Sequence, residues 1–244
     1  MVKERNTSRW LFHLVYWVFI LAGYSLLVYL IQTRKPELLN WPSLLVFFVF
    51  LFAADTRLGE SQASGGRVMS SKCIVLSVIV LFGAAPAAIM EAVSALVRGL
   101  VLRSSSLRKS VFNSAMLGAA AGVAGLVYQV LPWSDSFGGP LFFVPLAAAM
   151  LAHSVVNQLM LGVIISLDAK VPFERVYRRS YNWGRLRTLL DLPFAAMVVL
   201  LYQQAGAWTL LLFLFPVLAL YQSDRLYHRI VFGDFTDHDG PGGE

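Results

Sequence analysis

An apolar run of about 22 residues, WLFHLVYWVFILAGYSLLVYLI over 10–31, carries no Lys, Arg, Asp or Glu and limits what this chain can fold into. As a helix rising 1.5 Å per residue it covers about 33 Å, against a bilayer hydrocarbon core of about 30 Å. Further apolar stretches follow at 41–54, 73–102, 111–131, 140–167, 188–204 and 207–222. In water they would demand an implausibly large core. In lipid they become the surface, provided that every backbone polar group is satisfied internally, which leaves helices or closed barrels. No strand alternation or internal repeat occurs, so the sequence predicts an all-α integral membrane protein. It places about six transmembrane helices in one domain over 1–232, followed by a disordered acidic tail over 233–244.

Composition agrees: 57% of residues are hydrophobic and 14% charged, where a soluble domain carries about 25% charged residues. The net charge of +6 does not point to nucleic acid, because the basic residues cluster beside apolar segments, where they act as topology signals and contact anionic headgroups. The single Cys73 excludes an intrachain disulfide and argues against a thiolate metal cluster. MVKERNTSR runs straight into the first apolar segment without a small-residue cleavage site, as a retained signal anchor does.

The stretch 73–102 contains LFGAAPAAIMEAVSALVRGLV, with Gly83 and Pro86 near its middle. Pro86 removes a backbone donor. We therefore expect a broken, re-entrant-like pair, 73–84 and 86–102, that returns to the side it entered from. Irregular backbone at membrane depth survives only where protein or a water-filled cavity covers it, so this pair is the expected wall of a binding cavity.

Charge fixes the topology. With Lys3, Arg5 and Arg9 inside, a returning pair leaves Arg57, Arg67 and Lys72, then Arg103, Arg108 and Lys109, then Lys170 through Arg187, then Arg225 and Arg229 on the same side. Only Arg34 and Lys35 fall outside. The positive-inside rule then puts both termini in the cytoplasm, as expected of a multi-pass inner-membrane protein. Trp10 and Trp183 fall at the inner interface, and Trp41, Trp133 and Trp208 at the outer. The segment 168–187 is polar and basic, with Phe173, Val176, Tyr177 and Tyr181 at helical spacing, and is expected to lie in the interface.

Ionisable groups within spans cost about 2.5–3.5 kcal/mol at the centre on insertion scales, so each is a candidate site. Glu91 follows Pro86 in the second half of the pair, with Arg98 seven residues on. It is a ligand contact, one end of an internal tie to Arg98 or to backbone, or an interfacial residue if the hairpin is shallow. His153 and Asn157 share one face of a long span, with Gln158 adjacent. They bind a polar group or act as interhelical glue worth about 0.6 kcal/mol. Asn113 begins the preceding span. Asp191 opens the penultimate one, where it either serves a ligand or complements a helix N-terminus. His13 reads as an interfacial residue. The candidate ligand-binding residues are thus Glu91, Asn113, His153, Asn157 and Asp191. Gly118 and Gly122 form a G-x-x-x-G expected to pack within the bundle. H-E-x-x-H, G-x-S-x-G and CxxC are all missing, so neither enzyme activity, metal nor cofactor is expected. Asp234, Asp237 and Asp239 read as a solvated tail.

With this order in place, LFGAAPAAIMEAVSAL, RKSVFNSAMLGAAAGVAGLVY, HSVVNQLMLGVII, LLDLPFAAMVVLLYQQAG and LLLFLFPVLALYQSDRLY together resemble the membrane-embedded sensory module found N-terminal to bacterial HD-GYP phosphodiesterases and GGDEF diguanylate cyclases. Such modules are similar to the substrate-binding (S) subunits of energy-coupling-factor vitamin transporters. That resemblance implies an S-component-like bundle of about six helices around an outward-facing ligand cavity. The chain stops about twenty residues after Asp224, so it is expected to have no cyclase or phosphodiesterase activity of its own. The first helix is bulky, with Ala22, Gly23 and Ser25 as its small residues, unlike the A-x-x-x-A docking helix of the transporter subunits. The reading is a membrane-embedded module that senses a small molecule or lipid, with the bilayer and a cytosolic or membrane signalling partner around it. A substrate-binding subunit of a vitamin-type transporter is the alternative.

Overall fold

The structure, a computed structural model, describes residues 2–33, 40–57, 71–101, 106–132 and 139–206. The expected last span at 207–222, the tail at 233–244 and most of the polar loop after residue 57 lie outside them. Seven α-helices occur among the described residues: α1 (Val2–Thr33), α2 (Trp41–Arg57), α3 (Ser71–Phe82), α4 (Ala84–Val101), α5 (Leu107–Val130), α6 (Phe143–Ala169) and α7 (Phe173–Ala205), and no strand. The Trp10–Thr33 part of α1, α4, α5 and the stretch Pro140–Ala169 are long and apolar enough to cross a membrane, while α2 and α3 are apolar but shorter.

The break expected near Pro86 is present and lies three residues earlier. Gly83 takes φ +91° between α3 and α4, a left-handed conformation that only glycine adopts at little cost. Pro86 instead occupies the first turn of α4, where a missing N–H costs nothing. The far ends of the pair meet again. Asp55 at the end of α2 pairs with Arg98 at 3.3 Å, accepts from Ser94 at 3.5 Å and lies within reach of the Ser71 side chain. Ser71 starts α3 while Ser94 and Arg98 finish α4, so the two helices fold back as a hairpin. At 12 residues, α3 is about 18 Å long and cannot cross the core by itself.

Small residues put α5 at the centre. A Cβ on Gly118 would stand 2.9 Å from that of Ala92, one on Gly122 2.8 Å from a Leu30 methyl, and one on Gly125 2.5 Å from the Ala84 Cα. The G-x-x-x-G therefore packs inside the chain, against α4 and α1, as expected. Around it Ala87, Ala88, Ala120, Ala121 and Ala124 are fully buried. Ser106 caps α5, accepting from the Lys109 N–H at 3.5 Å.

The C-terminal part corrects the sequence reading. The stretches 168–187 and 188–204 were expected as an interfacial segment and a separate span, yet α7 runs unbroken for 33 residues with Pro193 inside it. A proline removes one ladder bond, and neighbouring groups in a packed bundle compensate for it, so the helical tendency on both sides prevails. The end of α6 is instead made at Lys170, in left-handed conformation, with the Val171 N–H bonded to the Ser166 carbonyl at 3.2 Å and the Ser166 hydroxyl to the Val171 carbonyl at 2.6 Å.

Lys and Arg positions among the described residues fall in the first eight residues of α1, the first turns of α3 and α5, the last turns of α2 and α4, beside the α6–α7 connection and in the first half of α7. None falls at the opposite end of any of these helices.

Candidate functional site

The hairpin places Glu91 two turns beyond the Gly83 break, with its side chain reaching α6. His153 comes from the middle of α6. Both Glu91 oxygens lie against its Nε2, at 3.1 and 2.9 Å, and the two residues are only 5% and 3% exposed. Glu91 and His153, two separate candidates in sequence, are one contact in space. Glu91 is not tied to Arg98: that arginine reaches Asp55 on α2 instead, because seven residues along a helix keep the face but move about 10 Å along the axis.

The pair leaves chemistry unspent. An ionised Glu91 requires a proton on Nε2, which makes Nδ1 a bare acceptor in the neutral ring and a second donor in the imidazolium. Either way Nδ1 is buried and has no partner. One turn further along α6, the Asn157 Oδ1 is buried without a partner as well. An unpaired buried polar atom costs about 1–3 kcal/mol. Two of them one turn apart, beside a buried carboxylate, form a polar focus in an otherwise apolar interior.

The remaining candidates are placed differently. Asn113 is half-buried in the second turn of α5. Asp191 is 5% exposed and stands near Cys73 of α3, one turn before Ala195, whose carbonyl accepts from the Ser77 hydroxyl at 3.3 Å. It does not open a helix, since α7 begins at Phe173. Among the described residues no group of three or more His, Cys, Asp or Glu is arranged to hold a metal.

Two polar clusters were missed. Asp55 closes the hairpin, and its signal was an acid in the last turn of an apolar helix. The second joins α1 to α5. His13 is exposed, but its Nδ1 accepts from Arg108 at 2.9 Å, and the Tyr16 hydroxyl donates to the Arg108 carbonyl. Phe12 and Tyr16, four residues apart, carried that signal as an aromatic pair on one face.

An apolar helical bundle with paired acid and imidazole at its centre is a membrane protein built around an interior polar contact. The comparison with known families is specific: the MASE9 family model matches residues 27–228. The chain belongs to this family of membrane-associated sensor domains. No curated protein and no solved structure matches it.

Proposed function

We propose that this membrane-associated sensor responds to a small molecule or lipid that engages the polar focus of Glu91, His153 and Asn157. The observation that carries the reading is the buried Glu91–His153 contact with the unpartnered His153 Nδ1 and Asn157 Oδ1 beside it. A ligand offering a hydrogen-bonding group satisfies those atoms and recovers part of their cost. The module is non-enzymatic and acts through a cytosolic or membrane signalling partner. Among the described residues the Lys and Arg positions gather at one end, which supports placing that end, with the N-terminus, in the cytoplasm of a bacterial inner membrane.

The test is mass spectrometry of small molecules and lipids retained by the purified protein, wild type beside Glu91→Gln, His153→Gln and Asn157→Leu. A retained species should be lost from all three while the fold persists by circular dichroism. Equal retention by all four proteins would refute the assignment.

A further inference from the structure

Arg108 is held by α1 through both its backbone and its side chain. The Tyr16 hydroxyl takes its carbonyl. Its guanidinium carbon stands 4.4 Å from the Tyr16 ring centroid and 5.4 Å from that of Phe12, and one guanidinium nitrogen donates to His13 Nδ1 at 2.9 Å. The two rings stack on one another at 6.0 Å, and Tyr16 stacks on Phe112 of α5 at 5.3 Å, so the platform beneath the cation is itself fixed.

Ring faces and an accepting imidazole nitrogen orient a guanidinium without cancelling its charge. Arg98 has Asp55 and Arg178 has Glu174, whereas no carboxylate pairs with Arg108 among the described residues. Arg108 and the adjacent Lys109 are both exposed. Depth completes the picture. The apolar span of α1 starts at Trp10, and His13 lies three residues into it, so the guanidinium stands within about 5 Å of the span's end. Tryptophan marks the headgroup level, which puts an oriented, uncompensated cation where lipid phosphates lie. A guanidinium fork matches two phosphate oxygens.

We infer that Arg108, oriented by Phe12, Tyr16 and His13, binds the phosphate of an anionic lipid headgroup at the junction of α1 and α5. This site is separate from the Glu91–His153 focus and stands whether or not that focus binds a ligand.

Native mass spectrometry of the full chain, with phosphatidylglycerol and phosphatidylcholine offered at equal concentration, tests it. The wild type should retain phosphatidylglycerol several-fold better. Arg108→Gln should abolish the preference, Arg108→Lys should leave an intermediate one, and Arg178→Gln, an exposed arginine elsewhere, should keep it in full. His13→Gln and Phe12→Leu, which spare the Tyr16–Arg108 backbone contact, should weaken the preference with unchanged melting temperature. Equal loss in Arg108→Gln and Arg178→Gln would reduce the effect to diffuse charge and overturn the site. Equal binding of the two lipids would also overturn it. Displacement of phosphatidylglycerol by millimolar inorganic phosphate would overturn the lipid assignment in favour of a soluble phosphate.

Discussion

Glu91 of α4 presents both carboxylate oxygens to a single nitrogen, Nε2 of His153 on α6. Removing either partner strands the other in an apolar interior, which is costlier than removing both. Glu91→Leu should therefore destabilise the protein by about 1–3 kcal/mol, Glu91→Gln by less, since an amide still bonds the ring. The double variant Glu91→Leu/His153→Leu should be more stable than Glu91→Leu alone. Denaturant unfolding in detergent micelles decides it, and additive losses would mean that the pair is not coupled.

Glycine packing gives a graded series. A methyl at Gly125 meets the Ala84 backbone at 2.5 Å, whereas one at Gly122 meets the flexible end of Leu30 at 2.8 Å. Gly125→Ala should cost about 1–3 kcal/mol by overpacking, and Gly122→Ala clearly less. Melting temperatures in the reverse order would contradict the close α4–α5 approach.

The returning hairpin can be trapped chemically. Ser94 Oγ and Asp55 Oδ2 are 3.5 Å apart, so the variant Asp55→Cys/Ser94→Cys, in a Cys73→Ala background, should crosslink readily under mild oxidation in native membranes. A pair with Gly83→Cys in place of Ser94→Cys should not, because the break lies at the far end of the hairpin.

The basic positions of the described residues, gathered at one end, make the proposed orientation testable. Val130→Cys at the end of α5, 80% exposed, should react with a membrane-impermeant maleimide added to intact cells, again in the Cys73→Ala background. Lys109→Cys should react only after permeabilisation. The opposite pattern would invert the topology.

What could be read from the sequence was whatever hydropathy and local backbone chemistry control. The apolar runs placed α2, α5, α6 and the C-terminal end of α1 within a few residues, while α1 itself begins eight residues before its apolar run; the Gly83–Pro86 signal placed the break. Asp191 shows where that approach fails: a proline and a polar stretch look like a boundary in one dimension, while packing on both sides carries α7 straight through Pro193. Nor could spacing reveal that Glu91 reaches His153 and Arg98 reaches Asp55. Both contacts join residues dozens of positions apart, and only the order of helices around α5 decides which candidates meet.

The unbroken course of α7 has a mechanical side. Its 33 residues make a rod of about 50 Å, touching α3 through Ala195 and Ser77. From Ala195 the shorter arm, ten residues to Ala205, is about 15 Å long, and the longer, back to Phe173, about 33 Å. With that contact as fulcrum, a small displacement of the Ala205 end would be roughly doubled at the Phe173 end, with no loop between to absorb it, and Pro193 sits two residues from the pivot.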